Sequence, residues 1–167
     1  LYRDRPQLII HRLEKIFAEA IHLEDFSEAT PAHINEQFQK LCERLNTIEN
    51  LFLRLLCNGL LSEPMVKNEL PTMPAGKSIH HARSGGMVEH IFSMCQIMEG
   101  IVIAHPNLNR DLLLFGCLFH DIGKLWELSG ADQTQYTTRG RLLGHIIIGV
   151  ELVEKLAQSI EGFPEDL

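Results

Sequence analysis

The sequence predicts an all-α protein that follows a short β remnant. Three observations lead there. Apolar residues recur at intervals of three and four from Ile34 onward. Capping residues, prolines and glycines bracket those runs. The only clearly non-helical apolar patch near the start, Leu8-Ile9-Ile10 after Pro6, suits a short strand at a sheet edge and cannot stand alone. With 167 residues, 45% hydrophobic and 22% charged, the chain suits one globular domain or one domain plus part of another. That composition excludes a disordered, collagenous or disulfide-stapled protein.

Acidic and polar residues over 24–30 read as a linker, closed by Thr30-Pro31, a threonine N-cap with proline at the first helical position. The helix this announces turns Ile34, Phe38, Leu41 and Leu45 inward and Glu36, Gln37, Lys40 and Glu43 outward. A second helix is expected over 47–58, stopped by Gly59, and Ser62-Glu63-Pro64 starts a short third. Pro71, Pro74 and Gly76 then break the chain before a polar loop over 77–86. Met87, Ile91, Met94, Ile97, Met98 and Ile101 restart the helical period as far as His105-Pro106, the methionines reading as core filling. The helix expected over 109–121 is apolar on most sides and should be the buried central one. A polar loop holding Gly130 and Gly140 leads to a last helix over 141–158, expected to bury Leu142, Ile146, Val150, Val153 and Leu156.

The longest apolar run, residues 112–119, is too short to cross a bilayer, and no basic region followed by an apolar stretch opens the chain, so a soluble protein without membrane contact is expected. Lysine and arginine number 15 against 22 aspartates and glutamates, which argues against a broad basic surface for nucleic acid and leaves a locally positive cleft. Cys42, Cys57, Cys95 and Cys117 form no CxxC pair and sit in apolar helical patterns, as buried thiols of a reducing, cytoplasmic compartment do. The chain opens on leucine and closes without a finished terminus, and reads as a piece of a longer protein.

The most informative dipeptide is His120-Asp121, at the end of an almost purely apolar helix. A carboxylate there costs several kcal/mol unless paired or metal-bound, roughly the penalty for burying a lone charge. Consecutive residues cannot share one helix face, but at a helix end the backbone turns enough for both to reach one divalent cation. An antiparallel pairing of helices brings His90, which follows Glu89, opposite His120, and His145 supplies a fourth ligand. Mixed nitrogen and oxygen donors leave positions open for water and a phosphate oxygen, the arrangement of metal-assisted hydrolysis. Lys124, one turn on, can bind that phosphate as a point charge. The plainer account makes these core histidines and pairs Asp121 with Lys124; it explains Asp121 but not His90 or His145. Gly76-Lys77-Ser78 lacks the earlier glycine of a phosphate-binding loop, and Ser84-Gly85-Gly86 lacks the pattern of a serine nucleophile.

His90, Leu118-Phe119-His120-Asp121-Ile122-Gly123-Lys124 and Gly144-His145-Ile146 resemble the HD superfamily of metal-dependent phosphohydrolases. More narrowly, five linked blocks in one order are similar to the YhaM-type 3′-to-5′ exoribonucleases. They are Lys77-Ser78-Ile79-His80-His81 with Gly85-Gly86 and Glu89-His90, then Leu108 to Leu114, the His120 block, Glu127-Leu128-Ser129-Gly130, and Gly140 to His145. The resemblance is strong over residues 77–153 and weak before them. It implies an HD-domain helical bundle preceded by the β remnant of an OB-fold and a helical linker: residues 1–20 as the end of an OB-like segment, 21–76 as linker and lead-in, and 77–167 as an HD domain incomplete at its C-terminus. It implies a metal-dependent phosphodiesterase that trims single-stranded RNA, with DNA left open and oligomeric state undefined. His90, His120 and Asp121 would hold a divalent ion, manganese being favoured and iron, magnesium or zinc accommodated. His145 would help hold a second ion or orient substrate, and Lys124 would neutralise the scissile phosphate. Lys77, His80, His81 and Arg141 would contact substrate. The family pattern places a further His-His pair and an Asp beyond residue 167. The alternatives are an HD phosphohydrolase acting on small nucleotides and a non-catalytic nucleic-acid-binding or regulatory HD module.

Overall fold

In the computed structural model, residues 30–76, 83–129 and 135–167 are described. The strand expected at Leu8-Ile9-Ile10, the linker before Thr30, and Lys77, His80 and His81 lie outside them. Helix α1 (Pro31–Leu45) starts as its sequence dictates: the Thr30 hydroxyl accepts the His33 amide and Pro31 occupies the first turn, where its missing N–H costs nothing. Ile34, Leu41 and Leu45 are buried, with Phe38 packed partly against them.

Helix α2 (Leu51–Ser62) departs from expectation at both ends. It starts at Asn50, whose side chain accepts the amides of Phe52 and Leu53, while Thr47 stays in the preceding turn and donates its hydroxyl to the Arg44 carbonyl. It also runs through Gly59 instead of stopping there. A Cβ at that position would lie 3.3 Å from the Leu156 side chain, so the glycine admits a neighbour rather than ending a helix. Helix α3 (Pro64–Glu69) follows as expected.

Helices α4 (Gly86–Ala104) and α5 (Arg110–Ile122) position the site. Gly85 takes φ 78°, a left-handed conformation, and a Cβ there would meet the Ile34 side chain at 2.6 Å. Met87, Ile91, Cys95 and Met98 line the core, so two of the three methionines fill it and Met94 packs against it partly buried. By length and composition α4 is apolar enough to span a membrane, a property that a search for uninterrupted apolar runs misses because Glu89, His90 and Glu99 punctuate it. Here it packs between α1 and α5. Helix α5, capped by Asn109, contacts α2, α4 and α7 and is the central helix.

Gly130, in the expected polar loop, lies outside the described residues, but the described parts of that loop form regular elements. Gly123 turns the chain into one further helical turn, α6 (Lys124–Glu127), and Leu128–Ser129 (β1) pairs antiparallel with Gln135–Tyr136 (β2), Leu128 opposite Tyr136. Helix α7 (Thr138–Gln158) begins three residues early, capped by Thr137, and takes Gly140 into its first turn. Its buried face corrects the sequence reading. Leu142 is 79% exposed, and Ile146 and Val150 are also exposed; Val153 is partly buried and Leu156 buried, with Ile148 the large residue turned inward. The cause is a seam of glycines. Gly144 (φ 72°, ψ 160°) breaks the helical phase, a Cβ on Gly140 would lie 2.3 Å from the Glu127 carbonyl oxygen, and Gly149 sits against the Phe119 carbonyl. Periodicity follows large apolar side chains; this contact runs on backbone.

The four cysteines are free; Cys57, Cys95 and Cys117 are buried and Cys42 is half-buried. Burial pushes the Cys57 thiol up to about 12, as expected of an inert core thiol. One core extends from Ile34 to Leu156, so α1–α3 and α4–α7 share it.

Candidate metal centre

Where α4, the end of α5 and the kink of α7 meet, one buried carboxylate collects four side chains. Asp121 Oδ2 lies 3.3 Å from His90 Nε2, 3.4 Å from His120 Nε2 and 2.8 Å from Lys124 Nζ, while Oδ1 faces His145 Nε2 at 3.5 Å. His90 Nε2 and His120 Nε2 are 3.1 Å apart. The carboxylate sits at the bottom with its imidazoles nearer solvent: side-chain exposure is 10% for Asp121 and 37% for His120.

Hydrogen-bond chemistry sets what these rings present. His120 Nδ1 is 3.0 Å from the Cys117 carbonyl, which can only accept, so Nδ1 carries the proton and neutral His120 offers its Nε2 lone pair toward Asp121 and His90. Donors bound to one ion at about 2.1 Å and separated there by roughly 90–110° lie about 3.0–3.4 Å apart. The three separations among His90 Nε2, His120 Nε2 and Asp121 Oδ2 fall in that range, and these are the atoms that converge as a possible ion site among the described residues. The donor set fits a divalent cation. Its mixture of two imidazoles and a carboxylate does not select one metal.

Close backbone approach makes the arrangement possible. Gly123 lies two residues after Asp121, and a Cβ on it would stand 2.0 Å from the His145 carbonyl oxygen; only glycine lets α7 come near enough for His145 to reach Asp121. On the far side of the His145 ring, Nδ1 is 3.2 and 3.1 Å from the two oxygens of Glu127, and the His145 amide donates to Glu127 Oε1 at 3.1 Å. Beside His90, buried Glu89 accepts from Arg83 at 2.8 Å. The buried charged side chains among the described residues are Glu89, Asp121 and Glu127, all at or next to this junction.

The three sequence-nominated histidine ligands thus surround the fourth, Asp121. Lys124 is engaged on two sides, donating to Asp121 and, at 2.8 Å, to the Ala75 carbonyl; the pairing that the plainer account anticipated is present. Arg141 is exposed on α7 four residues before His145. Glu127, Gly123 and Gly144 were assigned no part by the sequence reading. Their signals were available: a lone acid inside Leu125-Trp126-Glu127-Leu128, a glycine two residues after Asp121 and another immediately before His145.

A helical bundle with a His, a His-Asp pair and a further His at one junction is what the resemblance to the HD superfamily implies, and residues 87–166 match the HD domain family model. Over almost its whole length the chain is similar to curated proteins named 3′-5′ exoribonuclease YhaM. It is 34% identical to that of Listeria monocytogenes (serotype 4b, strain CLIP80459) over 164 residues, which is 96% of this chain and 52% of the relative. Against that of Bacillus subtilis (strain 168) it is 32% identical over 161 residues, 96% of the chain and 51% of the relative. By these matches the chain is similar to HD-domain, YhaM-like proteins. It spans about half the length of these relatives. No solved structure matches it.

Proposed function

We propose that this chain carries the metal centre of a 3′-to-5′ exoribonuclease acting on single-stranded RNA. The observation that carries the reading is the convergence of His90 Nε2, His120 Nε2 and Asp121 Oδ2, 3.1–3.4 Å apart, inside the segment that matches the HD domain. The similarity to proteins named exoribonucleases supports the substrate class. Residues 77–167 are read as the HD domain, 21–76 as its linker and helical lead-in, and 1–20 as the end of an OB-like segment.

In this reading His90, His120 and Asp121 hold a divalent ion, manganese by preference, and His145 helps hold a second ion or orients substrate. A bound ion would supply Lewis acidity, which brings the pKa of water down toward neutrality and offsets phosphoryl charge. The protein's own groups do the rest. The Cys117 carbonyl fixes the His120 ring, so its lone pair is set before any ligand arrives. Lys124 commits two N–H groups to Asp121 and Ala75, which holds its ammonium beside the carboxylate with a third N–H left for a phosphate oxygen. Lys77, His80, His81 and Arg141 steer the RNA backbone toward that point.

The test is a manganese-dependent assay of the full gene product on 5′-end-labelled single-stranded RNA. The expected result is a ladder of products shortened from the 3′ end, absent in Asp121→Ala, and slower in Lys124→Ala with metal content unchanged. RNA that is bound and left intact would instead support a regulatory module, and hydrolysis confined to free nucleotides a small-nucleotide phosphohydrolase; either result overturns the proposal.

A further inference from the structure

We propose that Glu127 is a positioning residue: it holds His145 in the Nδ1–H tautomer and aims the Nε2 lone pair at Asp121. The inference rests on the reading of this junction as a metal centre. It assigns a part to a carboxylate outside the HD pair.

Glu127 is 8% exposed, a burial that a carboxylate tolerates only with donors around it. Those donors come from one residue. Oε1 accepts the His145 amide at 3.1 Å, and both oxygens lie within 3.2 Å of His145 Nδ1. A carboxylate can only accept, so Nδ1 must carry a proton, and neutral His145 then keeps its lone pair on Nε2, 3.5 Å from Asp121 Oδ1. Without Glu127 the choice of ring nitrogen would be open, and an Nε2–H ring would point a proton where a ligand needs a lone pair.

The backbone is arranged to serve this contact. Gly144, at φ 72° and ψ 160°, interrupts α7 just before His145, in a region of conformational space essentially reserved for glycine. The interruption leaves the His145 amide to the carboxylate. Glu127 is fixed from behind as well. Its carbonyl accepts the Thr137 amide at 2.9 Å, and Gly140 lies so close that a Cβ would be 2.3 Å from the same oxygen. Two glycines and a hairpin return thus clamp one carboxylate onto one imidazole. Carboxylate–histidine pairs of this kind commonly fix the tautomer of metal-ligating histidines, and removing the outer partner costs about 10–100-fold in metal affinity or activity.

The experiment is nitrogen-15 NMR of the histidine rings in the full gene product, metal-free and at about pH 9, well above the usual imidazole pKa of about 6.5, for wild type and Glu127→Gln, with manganese affinity measured alongside. In wild type, His145 should show a protonated Nδ1 and an unprotonated Nε2. In Glu127→Gln it should shift toward the Nε2–H form, with His120 unchanged because the Cys117 carbonyl fixes it, and manganese should bind about 10–100-fold more weakly. A His145 that keeps its tautomer and metal affinity in Glu127→Gln would overturn the proposal. So would a wild-type His145 in the Nε2–H form, a result that needs no variant to fold. A tautomer shift in a protein that cleaves no RNA would sink the exoribonuclease reading and leave this inference standing.

Discussion

Helix α5 carries a charged cluster at each end, and the two are built on opposite principles. At its N-terminus, Arg110 makes two bonds to Glu99, at 2.6 and 3.1 Å, and a third to the Thr47 hydroxyl, while Asp111 Oδ2 accepts the amides of Glu49 and Asn50. Donors there meet acceptors: a fork-shaped cation covers a carboxylate, and a second carboxylate satisfies the backbone that leads into α2. At the C-terminus, Asp121 has one full cation, Lys124, and three imidazoles, two of which bring their Nε2 atoms within 3.1 Å of each other. His120, its Nδ1 proton committed to the Cys117 carbonyl, turns an Nε2 lone pair toward Asp121, a contact that a proton or a cation between them completes. The first cluster is complete as a structural clamp; the second gathers ring nitrogens and a carboxylate oxygen at the separations a bound cation would set. Counting charges does not separate them, but asking which atoms donate does.

The contrast predicts that the C-terminal end of α5 tolerates no added side chain where its middle does. Gly123→Ala would set a methyl 2.0 Å from the His145 carbonyl oxygen, whereas nothing lies within 4 Å of a Cβ on Gly116, in the same helix. Overpacking of this kind costs about 1–3 kcal/mol or more, and a glycine-to-alanine change in a helix interior with room for the methyl gains roughly 0.5–1 kcal/mol. Denaturant titration should therefore find Gly123→Ala clearly destabilised, with manganese affinity reduced because His145 is displaced, and Gly116→Ala as stable as wild type or more so with affinity unchanged. Equal stability of the two variants would mean that the close approach of α7 to Gly123 is not needed.

A smaller effect tests the other end. The Arg110 guanidinium holds the Glu99 carboxyl below the usual carboxylate range. A depressed folded-state pKa contributes stability that is fully present above the ordinary glutamate value, about 4.3, and is lost as pH falls through the lowered one. Wild type should exceed Glu99→Gln in stability by about 0.2–1 kcal/mol near neutrality, the scale of a partly exposed ion pair. The gap should close as the medium is made more acidic than about pH 4, and metal affinity should be the same in both. A variant that also lost metal would join the two ends of α5 into one network and break the comparison.

The parts of the fold that follow side-chain rules were legible in the sequence. Thr30-Pro31 and Asn109 start helices as caps do, the spacing of Ile34, Leu41 and Leu45 names a buried face, and the histidines and Asp121 announce themselves by standing in apolar surroundings. What escaped depends on backbone approaching backbone. Leu142, Ile146 and Val150 carry the apolar weight of α7, yet the residues it buries are Gly140, Ile148, Gly149 and Leu156, of which only Leu156 was expected, and a glycine adds nothing to a hydrophobic pattern. Gly59 reads as a stop signal until Leu156 is seen lying over it. Glu127 was invisible as a partner of His145 for a related reason: the contact is set by the Gly144 kink, and no spacing rule carries across a break in the helix.

The role of the C-terminal end of α5 depends on whether His90, His120 and Asp121 take up one cation. Pulsed electron paramagnetic resonance of the full gene product loaded with manganese(II) reads this directly, because imidazole nitrogens bound to the ion couple to its electron spin. The prediction is at least two such nitrogen couplings in wild type, one fewer in His120→Ala, and no specifically bound manganese in Asp121→Ala. Bound manganese with no nitrogen coupling, or with couplings unchanged by His120→Ala, would place the ion elsewhere and contradict the assignment of the C-terminal end of α5 as a metal centre.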